Sequence, residues 1–546
     1  MNKVFNNDNA RRYVHMALSR QIKSMEAAGM SQEEIQALID SAIAEYDAQQ
    51  LEEAINNDYS VLDYGEETYA YGVLIDFTEG KSSPDLKRIG NMELHRTLPV
   101  QSQYKGCIWD YGSQKILYYL NPENWNLAVN DEVNGVQKTA AEVAADMAFY
   151  EYGIRVETPK FYACSKVLAT DGAGHTTMAK VMFSTIKLNA HYIEIPRQVT
   201  DFRNVRYGDD IFENDGLFCS MNTTHMWGGY GGIVDSTSSH TQEYLYPITN
   251  VTRGWARDIA SHNRTHLMCY EYYKWLFYWA FVIEYATLNS HKPINNELDE
   301  NGFHQGGLGG GLTNLIENNG ITLNMSADNV NIAKDKCRYI GVTNSLGNGT
   351  GELSIRTDTD NSKVGHPNRY RGFECPFGDI RINLDGFLGV NVDGIDYFWT
   401  CANPQSFGDT VPSFYEEDTS MDWRIAGIIQ KKGNANDGWS YPNYFGGYDE
   451  SGKMVYANIG NAGDLFPQGT IQINSSDNVY FVNQFYPIDD DNNNTPTILY
   501  AGSAADDVDS CVVGLGRFGA DYGLSAAHYV LGFRCFNIIK DDGTVI

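Results

Sequence analysis

No Cys-x-x-Cys pair occurs anywhere in the 546 residues. The nine cysteines (Cys107, Cys164, Cys219, Cys269, Cys337, Cys375, Cys401, Cys511 and Cys535) are scattered and odd in number. Such spacing offers neither a zinc site nor a disulfide framework, and it points to free thiols in a reducing compartment. Positive charge is scarce too: 40 Lys and Arg stand against 70 Asp and Glu, a net charge of −30. Nucleic acid and anionic lipid both need cations on the protein face, so neither partner is expected. Acidity on this scale favours solubility at high local copy number. Long apolar runs are missing as well. The most apolar stretch, LFYWAFVI at 276–283, is too short to span a bilayer, and the opening MNKVFNNDNARRYVH lacks the apolar core of a signal peptide. The expectation is a soluble protein made in the cytoplasm, without membrane insertion.

Catalytic signatures are also lacking. GGLGGGL at 306–312 has no Lys-Ser/Thr behind it and so cannot be a phosphate-binding P-loop, and no Gly-x-Ser-x-Gly elbow occurs. His262 and His266 stand four apart, as zinc ligands on a helix do. The intervening NRT lacks the general-base Glu, and a helix boundary is expected between them. The run DDDNNNT at 489–495 is dense in hard oxygen ligands for calcium but lacks the EF-hand spacing, and a solvated turn explains it better. Carboxylates are plentiful, although no spacing singles out a glycosidase pair. No metal and no cofactor is expected.

What is abundant is aromatic and glycine content: 36 Tyr, 24 Phe, 9 Trp and 52 Gly. This reads as short strands and turns, with tyrosine serving either a recognition surface or a β-rich core with polar tips. Ahead of that body, Val14, Leu18, Ile22 and Met25 recur at helical spacing. Ser31 and Glu34 then form a capping box for a second helix lined by Ile35, Leu38, Ile39, Ala42, Ile43 and Tyr46. Residues 1–60 therefore read as a helical hairpin, either an attachment or oligomerisation arm or a pair packed on its own domain. Residues 61–200 read as a β-rich domain. In it, 68–77 is a strand, 106–125 a hairpin across Asp110–Gly112, 140–153 a helix and 154–168 a strand. Residues 201–546 form the third part, with one long helix at 266–288 that is apolar all round and hence buried. Trp275, Phe281 and Tyr285 are among its core residues.

Several stretches of this third part occur in a recognisable order: GWARDIASHN (254–263), WLFYWAFVIEYATLNS (275–290), YRGFECPFGDIRINLDGF (370–387) and VLGFRC (530–535). Together they resemble C-type-lectin-like domains of the formylglycine-generating-enzyme type, with the EYA element at Glu284, the FGN-like turn at Phe377–Gly378–Asp379 and the closing GFR at Gly532–Phe533–Arg534. YGVLIDF (71–77), RIGNMELHRTLPVQS (88–102) and ETPKFY (157–162) further resemble tailed-phage virion fibre and receptor-binding proteins, some of them targets of diversity-generating retroelements. The enzyme's copper-holding cysteine pair, five residues apart, is not matched: Cys511 faces Gly516 at that spacing.

The resemblance implies an α+β fold: an N-terminal helical hairpin and a β-rich body ending in the C-type-lectin-like domain. It also implies a structural, non-enzymatic virion protein, a head fibre or tail fibre. Such a protein would bind other virion proteins through its arm and a host-surface glycan or protein through its head, as a homotrimer. A virion-borne glycan depolymerase is the alternative. Arg534 and Glu284 are expected to be structural, Arg534 needing a carboxylate or several carbonyls if buried. The ligand-contacting face would lie in 500–529, carrying Tyr500, Asp506, Asp507, Asp509, Arg517, Asp521, Tyr522, Ser525 and His528. The other reading of that stretch is packing against its neighbours or another subunit.

Overall fold

The computed structural model describes Ser31 and residues 61–78, 85–147, 149, 151–170, 176–205, 251–310, 342–353, 355–356, 364–378, 380–411, 422–430, 441–445, 467–471, 485–486, 488, 494–502, 514–527 and 531–546. Apart from Ser31, the expected arm of residues 1–60 lies outside the described residues, as does most of the acidic run 489–495. The chain divides into two units, 1–68 and 69–546. In the first, the described stretch 61–68 is a capped turn in which the amides of Asp63 and Gly65 donate to the carboxylates of Glu66 and Glu67 at 2.7 and 3.0 Å. The second is a mixed α+β body, mostly β-sheet.

Its elements, in chain order, begin with β1 (Ala70–Asp76), β2 (Lys87–Gly90), α1 (Met92–Thr97), β3 (Lys105–Asp110), β4 (Lys115–Tyr119) and α2 (Ala140–Met147). Then come β5 (Tyr152–Thr158), β6 (Phe161–Thr170), β7 (Thr176–Ser184), β8 (Ile193–Ile195), β9 (Gln198–Asp201), α3 (Arg253–His262) and β10 (His266–Leu267). The central helix α4 has three parts: α-helical Tyr270–Tyr273, π-helical Lys274–Trp279 and α-helical Ala280–Tyr285. Beyond it lie β11 (Arg381–Val392), β12 (Ile395–Cys401), β13 (Trp423–Gln430), β14 (Phe485–Tyr486), β15 (Thr497–Ala501), β16 (Phe518–Gly519), β17 (Leu531–Gly532) and β18 (Cys535–Ile538).

Three sheets organise the body. The first is antiparallel in the order β8-β6-β7-β1-β2, and the second, also antiparallel, runs β10-β18-β9-β5-β3-β4. The third runs β13-β12-β11-β15-β16-β14, with β17 added parallel to β11. The last strand thus sits between β9 and β10, with Gln198 opposite Ile538 and His266 opposite Phe536. The boundary expected after residue 200 falls inside β9, and a single hydrophobic core runs from Tyr71 through α4 to Ile538.

Local chemistry explains where elements start and stop. The expected strand 154–168 divides at Pro159, which has no amide to donate, and its halves β5 and β6 enter different sheets. The expected helix at 140–153 is the shorter α2, and β5 has already begun at Tyr152. The hairpin β3–β4 turns on Asp110, whose Oδ1 accepts from the amides of Gly112 (2.8 Å) and Ser113 (3.2 Å). The helix expected from 266 begins only at Tyr270, because the Met268 amide donates to the Arg534 carbonyl at 2.8 Å and 266–267 join the sheet instead. From Tyr270 to Tyr285 every residue of α4 is buried, Trp275, Phe281 and Tyr285 included.

Candidate functional site

Within the stretch where the recognition face was expected, the structure buries β15 and Arg517. β15 is an interior strand between β11 and β16, and all five of its residues are buried. Tyr500, 1% exposed, lies across Gly519 of the neighbouring strand, where a Cβ would come within 2.2 Å of its ring. Its hydroxyl donates to Asp521 Oδ1 at 2.7 Å, and Arg381 covers the ring at 5.2 Å. Arg517 is 3% exposed. These two residues are therefore removed from the face. Asp521 and Tyr522 are half-buried, Tyr522 packing beside Tyr500 at 5.2 Å, while Ser525 is exposed. Asp506, Asp507, Asp509 and His528 lie outside the described residues. The small and polar residues of this stretch read as surface, yet its glycine makes room for a tyrosine to close over the sheet.

The two residues expected to be structural occupy fully buried polar nodes. Arg534 Nη2 donates to the carbonyls of Glu374 (2.7 Å) and Cys375 (2.8 Å), Nη1 to the Phe202 carbonyl (3.0 Å) and Nε to Asn204 Oδ1 (3.2 Å). The clamp is made of carbonyls and one amide oxygen, and it ties the last strand to segments near 203 and 375. Glu284, near the end of α4, accepts twice from Arg371 (2.6 and 3.1 Å) and once from the Tyr370 hydroxyl (3.2 Å). Burial alone would lower the Arg371 pKa; the Glu284 carboxylate overrides it and raises the pKa. His304 Nδ1 stands 3.7 Å from the same carboxylate, and burial, opposed by Glu284, lowers its pKa.

A cleft of about 640 Å³ opens where the β3–β4 turn meets the α3–β10 turn and the segment after β18. Ser113, Gln114, Lys115, Arg257, Ser261, Arg264, Thr265 and His266 supply its polar lining, together with Asp385. Leu267, Pro404, Phe407, Val545 and Ile546 supply apolar wall. Arg257 forks onto the fully buried Asp385 with two 2.6 Å bonds and reaches Asp409 at 2.8 Å, while Arg253 holds Asp409 at 2.6 Å. Burial works against the Arg257 charge, but hydrogen bonding and charge from Asp385 and then Asp409 raise its pKa. Burial lowers the His266 pKa, against the opposing pull of Asp385.

The turns at this mouth are joined by hydrogen bonds. Arg264 Nη2 donates to the Gly112 carbonyl at 3.0 Å, and Gln114 Nε2 donates to the Asn263 carbonyl at 3.1 Å. Asn537 Nδ2 in turn donates to the Arg264 carbonyl at 2.6 Å. Both Gln114 (φ 55°) and Arg264 (φ 53°) hold left-handed backbone that glycine adopts more cheaply. The helix boundary expected between His262 and His266 is present: His262 ends α3 and His266 opens β10. Among the described residues, no group of three or more His, Cys, Asp or Glu is placed to hold a metal ion. Sequence reasoning missed this cleft because its parts lie far apart in the chain; the one local signal was a non-glycine residue ending a helix in HNRTH. No protein-family model, no curated protein and no solved structure matches the chain.

Proposed function

We propose that the chain is a structural protein of a bacteriophage virion, a head or tail fibre, that attaches the particle to the host surface through a C-type-lectin-like body. The observation that supports it is the placement of the closing strand. β18 pairs antiparallel with β9, at the start of the region that resembles the lectin-like domain, and Arg534 of the GFR element anchors it. The EYA glutamate, bound to Arg371 near the end of the central helix, is a second element that supports the reading. In this reading the sheets form a fixed scaffold, and recognition falls to loops and clefts at their margins. Residues 1–60 dock the chain on other virion proteins, and copies associate as a homotrimer.

The test is to incubate purified protein with host cells and with their extracted surface polysaccharide. Saturable binding that competes with particle adsorption, with polysaccharide length unchanged, is the expected result. Shortened polysaccharide would replace attachment by depolymerase activity, and absence of cell binding would overturn the attachment reading.

A further inference from the structure

We infer that the cleft between the β3–β4 turn and the α3–β10 turn binds a saccharide unit carrying an anionic group, a carboxylate or a phosphate. The inference rests on reading the chain as an attachment protein and names the ligand class and the site. In a chain of net charge −30, two exposed cations, Lys115 and Arg264, converge here from separate segments beside Arg257, whose charge is spent on Asp385 and Asp409. The carboxylate among the lining side chains, Asp385, is fully occupied by the Arg257 fork and the Gly386 amide. Asp110, beside the mouth, is turned into its own loop, where it accepts from Ser113 Oγ at 2.6 Å. Lys115 and Arg264 are exposed. Lys115 makes no ion pair among the described residues, and Arg264 spends one donor on Gly112. An anion drawn to such a point on an acidic surface meets donors already oriented.

The rest of the lining suits a sugar ring. Phe407 and Pro404 offer an apolar face for ring C–H groups, while the exposed hydroxyl-bearing Ser261 lines the same space. A free anion needs no apolar wall, and a purely apolar ligand does not need two cations. The volume fits one or two ring units. Holding Arg264 and Gln114 in left-handed backbone, pinned through Asn537, fixes the donors before the ligand arrives, which limits the ordering lost on binding.

The test uses the full chain in calorimetric titrations with trigalacturonate, a phosphorylated trisaccharide, the neutral trisaccharide and inorganic phosphate alone. Binding of either acidic saccharide, weakening with added salt and at least about tenfold stronger than that of the neutral one, is expected. Lys115→Ala with Arg264→Gly should abolish that preference, while the melting temperature stays unchanged or rises, because glycine relieves the left-handed residue. The preferred arm identifies the anion as carboxylate or phosphate. Equal binding of acidic and neutral sugars, or binding of inorganic phosphate alone, overturns the inference. The same double variant is then assayed on host cells. If wild type and variant bind cells equally and no acidic sugar binds, the cleft proposal fails and the attachment reading stands. If neither binds cells, the attachment reading itself fails.

Discussion

His95 of α1 is sealed against β1 and β2, its Nε2 lying 3.1 Å from the Ile89 carbonyl and 3.3 Å from the Gly72 nitrogen. Burial, reinforced by the charge of Arg88, holds its pKa down at about 3. In the unfolded chain the same ring titrates near ~6.5, so above that pH both states are neutral and its contribution is intact. As pH falls toward about 3, the unfolded state takes up a proton that the folded state refuses. Stability then declines, by about 2 kcal/mol at pH 5. Denaturant titrations of wild type and His95→Asn between pH 7 and pH 5 should show a shallower decline in the variant; equal slopes would remove His95 as the source. Arg534→Met keeps the contact over Phe277 but removes the donor to four buried oxygens, and a loss of about 3–5 kcal/mol is expected in the same assay. A loss below about 1 kcal/mol would mean that water replaces the guanidinium without penalty. The need of Arg534 for acceptors was legible in the sequence, since a charge inside an apolar closing run must be answered. The burial of Tyr500 was not, because it depends on a glycine of another strand, with Gly519 opposite Tyr500.

At the scale of elements, α4 combines complete burial with a π-helical middle, so its side chains rotate through every direction of the core. Phe281 stacks on Tyr285 at 4.8 Å and meets Tyr370 edge-on at 6.1 Å. Phe281→Ala should cost about 3–5 kcal/mol in unfolding free energy, whereas a loss under about 1 kcal/mol would show that the site collapses around the change. Inside this apolar rod, Glu271 is held by Lys274 (3.0 Å), Arg424 (2.5 Å) and Thr400 (2.9 Å). The burial of the helix and the β3–β4 hairpin were legible, because apolar periodicity and turn residues are local signals. The start of α4 was not: its first expected turn is taken by a strand whose partner lies at the far end of the chain. The cleft is hidden for the same reason, since no window of sequence contains both Lys115 and Arg264.

For the whole molecule, the described body 69–546 contains its own continuous core. Deleting residues 1–60 should leave thermal unfolding of this body unchanged and abolish incorporation into particles, measured by calorimetry and by particle proteomics. An insoluble deletion product would mean that the first 60 residues belong to that core. Among the described residues, no helix is long and apolar enough to cross a membrane. The mixed α+β class was legible from composition and periodicity. The assignment of strands to sheets was not, because pairing over such separations leaves no trace in local pattern.

The position of β18 also carries a consequence for how the protein is made. Arg534 and its acceptor Phe202 lie 332 residues apart, and β18 supplies the ladder partner for both β9 and β10. During synthesis β9 can pair with β5, but its other edge stays bare until Cys535–Ile538 has been made. Such an edge is open to mispairing with other nascent chains. Closure of the sheet therefore comes long after β9 is made, and chains cut short before Leu531 should emerge as protease-sensitive intermediates with the central sheet unfinished.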